Sequence, residues 1–247
     1  MKILVCISKT PDTTAKIAFT DDNTKFNEAG VQYIVNPSDE WYALVRALEL
    51  KETLGADVHL ISVGGPDYDP IIRKALALGA DEAVRINLDA ADGYAAASQI
   101  AAYARQENYD LIMTGKETID FNGSGVGGMI AGIMELPYVS LASKLEMKEE
   151  GLATLRREIE GGEEVCEVRT PFIVSCMKGM AEQRIPNVRG IMAARTKPLK
   201  VVEATANTAL TTIVRFELPP AKERVKLVDP DQMDELVRLL HEEAGVI

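Results

Sequence analysis

Short, unbroken apolar runs alternate with stretches of helical periodicity through the first two-thirds of the chain, and this alternation limits the possible folds most. The runs are KILVCI (2–7), DVHLISVG (57–64), EAVRI (82–86), DLIMTG (110–115) and PFIVSC (171–176). Continuous apolar segments of this length suit strands covered on both faces, the usual condition of a parallel sheet. Between them, SDEWYALVRALELKETLG opens with Ser38 as an N-cap, puts Trp41, Leu44, Val45 and Leu48 at helical spacing, and stops at Gly55. DPIIRKALALG (69–79) and GYAAASQIAAYARQENY (93–109) predict two further helices. LGAD occurs at 54–57 and 78–81, each time at a helix end just before a strand, so it is a recurring αβ connection and not a sequence repeat.

Alternating β and α units with right-handed crossovers predict an α/β fold: a doubly wound, mostly parallel sheet. Its ligands bind beyond the carboxyl ends of the strands, where the strand order reverses. The loops to watch are therefore SKTPDTT, GGPDYD, GKETIDFNGSG and KGMAEQRIPNVRG, which follow the first, second, fourth and fifth runs. From about residue 140, LASKLEMKEEGLATLRREIEGGEEVCEVRTP predicts antiparallel strands turned at Glu150-Gly151 and Gly161-Gly162. The expected organisation is an α/β domain over 1–195 carrying a β-hairpin insertion at about 144–170. An extended C-terminal arm and helix over 196–247 would follow, with too few apolar positions for a core of its own.

The net charge of −11 speaks against a dedicated nucleic-acid or anionic-membrane binder, either of which needs a basic footprint. The apolar part of MKILVCISKT is too short for a signal segment, and no run approaches the roughly 18 apolar residues of a membrane span. A cytoplasmic protein without membrane insertion is expected. Cys6, Cys166 and Cys176 form no CxxC pair, and the histidines are His59 and His241, so neither a metal site nor a disulfide framework is expected.

TGKETIDFNGSGVGG (114–128) carries the strongest local chemistry. Glycines at 123, 125, 127 and 128 would let the backbone take positive φ and approach a ligand. Ser124 and the amides opening the next helix would donate to a phosphate, with Lys116 supplying charge and Asp120 accepting from a ribose or adenine group. VNPSDEW puts Asn36 and Pro37 before a helix start at Ser38 and Asp39, where side-chain oxygens and free amides coincide. RREIEGGEEVCEV reads as an alternating-charge hairpin, and no nucleophile or metal cluster completes a catalytic site there. KGMAEQRIPNVRGIMAARTKPLK (178–200) sets Ile185, Val188, Ile191 and Met192 among cations, the pattern of a steered docking surface with apolar anchors.

With these elements in place, the chain resembles the beta subunit of the electron transfer flavoproteins over almost its whole length. The resemblance rests on KILVCISKTPD, VNPSDEWYALVRALELKE, ALALGADEAVRI, DLIMTGKETID and RREIEGGEEVCEVRTPFIV, in that order. It implies an adenine-nucleotide-binding type of α/β fold that pairs with an alpha subunit holding most of an FAD. AMP, or in electron-bifurcating members a second FAD, would lie against Cys6, Asn36, Pro37, Ser38, Asp39 and Gly64. The other wall would be the loop with Gly115, Lys116, Thr118, Asp120, Asn122, Gly123, Ser124, Gly125 and Val126. Glu158 would lie near the FAD interface. The loop with Arg184, Ile185, Val188, Arg189, Ile191 and Met192 would recognise flavin dehydrogenases such as the acyl-CoA dehydrogenases of fatty acid oxidation. The tail would wrap the alpha subunit.

On this reading the protein is an electron carrier and not an enzyme, passing electrons to a membrane quinone reductase or another acceptor. The redox chemistry belongs to the flavin, so no catalytic residue of its own is needed. Phe121 to Gly127 matches neither the AMP-type nor the bifurcating pattern, which leaves AMP and a second FAD both open. Val188 stands where many relatives carry a leucine anchor, and one methylene fewer removes about 0.8 kcal/mol of burial. A stand-alone adenine-nucleotide sensor, and a hydrolase or transferase of nucleotides using Lys116 and Asp120, are the competing readings.

Overall fold

The computed structural model describes residues 1–206, 209–221 and 225–247. Nine strands form the main sheet: β1 (Lys2–Cys6), β2 (Asp57–Val63), β3 (Glu82–Asn87), β4 (Leu111–Gly115), β5 (Tyr138–Met147), β6 (Leu152–Ile159), β7 (Gly162–Arg169), β8 (Phe172–Cys176) and β9 (Leu199–Glu203). Their spatial order is β7-β6-β5-β8-β4-β1-β2-β3-β9. Every pairing from β5 across to β9 is parallel, and β6 and β7 add an antiparallel hairpin at one edge. The α/β class and the mostly parallel sheet are as the sequence predicts.

Among the described residues, the α-helices before the last sheet strand are α1 (Asp39–Leu54), α2 (Asp69–Leu76), α3 (Gly93–Glu107), α4 (Val126–Met134) and α5 (Val188–Ala194). Successive residues of β1 serve opposite cores: Ile3 and Val5 pack with Leu44, Leu48, Ile72 and Leu76 of α1 and α2, whereas Leu4 packs with Ile100 of α3 and Ile130 of α4. Covering both faces explains why the strands lack polar alternation. Each such side chain contributes about 1.5–3 kcal/mol by leaving water.

Several helix ends follow local chemistry, and the start of α1 does not. Gly55 ends α1 in the left-handed region (φ 67°), its amide reaching the Lys51 carbonyl at 2.9 Å. Asp92 caps α3 through the Ala95 amide at 2.7 Å, and its second oxygen accepts from the Leu210 and Thr211 amides at 2.7 Å each. Asn187 caps α5 through the Gly190 amide at 2.8 Å. Ser38 precedes α1 as expected, but its side chain makes no cap bond. Its backbone, at φ −104° and ψ −87°, is outside the extended geometry of a serine cap.

The parallel start of β5 and the whole of β9 lie outside both the apolar runs and the expected antiparallel strands. β5 pairs parallel with β8 through Ala142 and antiparallel with β6 from Ala142 onward, and at the changeover Leu141 has φ 56° while its amide bonds the Ser175 hydroxyl at 3.0 Å. The parallel half is too short to read as a buried strand. β9, within the stretch expected to be an arm, is an edge strand paired with β3, and its half-polar LKVVE reflects one open side.

The chain divides into two compact units, Met1–Ile17 with Asn27–Val214, and Ala18–Phe26 with Arg215–Ile247. In the second, Phe19–Thr20 pairs with Lys25–Phe26 and Phe19 stacks on Phe216 with ring centroids 4.9 Å apart. Helix α6 (Met233–Arg238) continues into a π turn at Leu239–Glu243, with Arg238 held by Glu235 and Glu242 at 2.8 Å. Among the described residues no helix is long and apolar enough to cross a membrane.

Candidate functional site

The chain leaves β1 toward β2 on one side, and β4 returns on the other, so the strand order reverses between β1 and β4. The crevice beyond their carboxyl ends is where a doubly wound sheet takes its ligand. Asn36, 1 % exposed, closes this region from within. Its Nδ2 donates to the Glu117 carbonyl at 2.8 Å, its Oδ1 accepts from the Ile119 amide at 3.1 Å, and its own amide reaches the Ser8 carbonyl at 3.3 Å. Thus Asn36 joins the loops after β1 and β4 to the start of α1.

Glu40 is a second fastening. Buried in the first turn of α1, it accepts from the Ser8 amide and from the Ser8 hydroxyl, both at 2.6 Å. Burial pushes its carboxyl up to about 8, against the opposing pull of the Ser8 bonds. Gly115 permits this arrangement, since a Cβ there would lie 2.8 Å from Glu40 Cγ and 2.9 Å from the Glu40 amide nitrogen. Burial also raises Asp39, opposed by the Lys116 charge and the Glu117 amide. Cys6, buried at the end of β1, has its thiol pushed up by desolvation and secondly by Glu40, so it stays a neutral packing group.

The loop after β4 differs from expectation in its backbone. The left-handed residues are Asn122 (φ 48°) and Ser124 (φ 49°), while none of Gly123, Gly125, Gly127 and Gly128 has positive φ. Gly127 instead allows close packing, because a Cβ there would come 2.8 Å from the Thr114 hydroxyl and 3.0 Å from the Tyr138 hydroxyl. Thr118 accepts the Asn122 amide through its carbonyl at 2.9 Å, and Asp120 accepts from the adjacent Phe121 amide at 3.0 Å. Lys116 pairs with Glu117 at 2.8 Å, and Ser124 Oγ donates to the same carboxylate at 2.9 Å. Gly125 precedes α4 and, being a glycine, gives its first-turn amides no side-chain cap.

At the end of β2, Gly64 lies under the Tyr68 ring, which a Cβ would overlap. Its carbonyl accepts from buried Arg85 at 2.9 Å, and Arg85 also pairs with Asp69 at 2.7 Å. Lys9 pairs with Asp67 and places its ammonium 3.9 Å from the Tyr33 centroid and 5.2 Å from that of Tyr68. Burial raises the Tyr68 hydroxyl to about 12, with Asp67, Asp120, Asp89 and Glu40 adding to the effect. Ser8, Glu40, Glu117, Tyr68 and Arg85 were not singled out from sequence. Glu40 alone carried a signal there, as an acid four residues before Leu44 on the apolar face of α1.

Cys6, Asn36, Pro37, Ser38, Asp39, Gly64 and the 115–126 loop all sit at the carboxyl ends of β1, β2 and β4. Glu158 is exposed on β6 opposite Glu163, and its charge is felt by Lys116. The 184–193 segment lies elsewhere, against α1 and α2. Trp41 Nε1 donates to the Arg184 carbonyl at 3.1 Å, and the Arg184 guanidinium pairs with Glu52 at 2.5 and 2.9 Å. Arg73 donates to the Ala194 carbonyl at 2.8 Å, and Gly190 passes so close to α2 that a Cβ would overlap the Ala77 carbonyl oxygen. Ile185 and Val188 are 91 % and 77 % exposed, with Arg189, Ile191 and Met192 exposed beside them.

Residues 23–207 match the electron transfer flavoprotein domain. The chain is 36 % identical to the electron transfer flavoprotein subunit beta of Bacillus subtilis over all of both chains. It is 38 % identical to the protein of that name from Syntrophomonas wolfei, over 90 % of this chain and 87 % of the other. It is also 33 % identical to the caffeyl-CoA reductase-Etf complex subunit CarD of Acetobacterium woodii, over 90 % and 89 %. Fold, loop placement and these likenesses agree, and the chain belongs to the electron transfer flavoprotein family as a beta subunit.

Proposed function

We propose that the chain pairs with an alpha subunit, completes an FAD site with it, and holds AMP in the crevice between β1 and β4. The observation that carries the nucleotide reading is the Asn36 bridge, which fixes the loop after β4 at the reversal of strand order. The residues present suit an adenine mononucleotide. The first-turn amides of α4 and the Lys116 and Ser124 side chains suit a phosphate, Asp120 suits a ribose or an adenine amine, and Gly64 and Cys6 form apolar floor. FAD, when bound, supplies the electron-carrying chemistry.

The chain's own part is to bind, orient and dock. Glu158 lies on the side facing FAD, and exposed Ile185, Val188, Ile191 and Met192, with Arg184 and Arg189, meet a flavin dehydrogenase such as an acyl-CoA dehydrogenase. Electrons pass on to a quinone reductase or another acceptor, in the cytoplasm or at its membrane face. The test is co-expression with the alpha subunit, followed by extraction and identification of the nucleotides. One FAD and one AMP per heterodimer is the expected result. Two FAD would place the protein with the bifurcating members, and no nucleotide beyond the shared FAD would refute the crevice assignment.

A further inference from the structure

We infer that the Glu117 carboxylate is an internal competitor for the phosphate, and that it sets how strongly this crevice prefers a phosphorylated ligand over a bare nucleoside. The inference rests on the nucleotide reading above. Each Glu117 oxygen engages a different group: Oε1 meets Lys116 Nζ at 2.8 Å and Oε2 accepts from Ser124 Oγ at 2.9 Å. These are the two side chains that the nucleotide reading above gives to the phosphate. A carboxylate that already takes both of them presents the loop with the charge a phosphate would bring.

The backbone keeps this competitor in place. Asn36 Nδ2 holds the Glu117 carbonyl, and the Lys116 amide continues the sheet to the Cys176 carbonyl at 2.9 Å. Lys116 is ringed by acids, since Asp39 and Glu158 also favour its charged form. Lys116 and Ser124 in turn hold the Glu117 carboxyl below its ordinary range, so it is ionised wherever the protein is folded at neutral pH. A phosphate entering here must swing the Glu117 side chain away or bind beside it against its charge. A neutral ribose or adenine contact meets no such barrier. The specificity of the crevice is therefore lowered by one named group.

The experiment uses the full-length chain in its heterodimer, stripped of exchangeable nucleotide and titrated calorimetrically with AMP and with adenosine. Glu117→Gln keeps the size and backbone bonds and removes the charge. Glu163→Gln, on the exposed hairpin, controls for overall charge. The expected result is AMP bound about tenfold more tightly by Glu117→Gln, as befits removal of a charge-assisted competitor. Adenosine affinity should stay unchanged, and Glu163→Gln should behave as wild type. AMP bound equally or more weakly by Glu117→Gln overturns the inference, and so does an equal gain for adenosine. Binding of neither ligand by the wild-type heterodimer overturns the nucleotide reading itself, and the inference with it.

Discussion

The Asn36 carboxamide spans the crevice to bond two backbone groups of the loop after β4, donating to Glu117 and accepting from Ile119. Each atom of the amide is matched to one kind of partner. Asn36→Ala should cost about 2–3 kcal/mol, because it leaves a half-buried donor and acceptor unpaired. Asn36→Asp should not rescue it, since a second acceptor would face the Glu117 carbonyl. Denaturant midpoints at constant m-value check the stability, and the nucleotide content of the purified heterodimer should fall in both variants.

Glu40 should make stability depend on pH in a defined direction. Its carboxyl is raised by burial from 4.5 to about 8, so the folded state binds the proton more tightly than the unfolded state does. The associated stability is complete below the unfolded value and is lost as pH rises through the folded one. Urea midpoints should therefore decline between about pH 5 and 8, by up to roughly 1.4 kcal/mol per pH unit from this group. Glu40→Gln can still accept from the Ser8 amide and donate to its hydroxyl, and should flatten that decline. An equal slope in both proteins would assign the effect to other groups.

Gly190 should tolerate no side chain. A Cβ would overlap the Ala77 carbonyl oxygen, so Gly190→Ala has to lift α5 from α2 at a cost of about 1–3 kcal/mol. Thermal melts report the loss. The exposed Ile185 and Val188 would move with the helix, so association with a dehydrogenase partner should weaken as well.

Arg184 should matter little for folding. Its pair with Glu52 is well solvated on both sides, and Arg184→Ala should change stability by less than about 1 kcal/mol, with the difference vanishing at high salt. Trp41→Phe removes the bond to the Arg184 carbonyl while leaving that ion pair possible, so the two variants separate the loop's backbone anchor from its charge.

Most of the sheet could be read from sequence because strands buried on both faces advertise themselves as apolar runs. The antiparallel part of β5 is legible as a strand turned at Glu150-Gly151, but its parallel start before the change of partner at Leu141 is not, nor is β9 with its open edge. The site showed a similar division. Asn36 and the 115–126 loop stood out by residue type and position. The fastening role of Asn36, the burial of Glu40, and the capture of Lys116 and Ser124 by Glu117 depend on contacts between loops distant in sequence. The glycine-rich run was legible as a special backbone, yet its left-handed positions fall on Asn122 and Ser124, and Gly127 serves helix packing.

Asp92 concentrates risk in one carboxylate. One oxygen starts α3 and the other gathers the Leu210 and Thr211 amides, from a segment more than a hundred residues later. A single base change in that codon would loosen a helix entrance and one mooring of the outgoing segment together, leaving the grip of Gln99 on Thr205 to hold the segment.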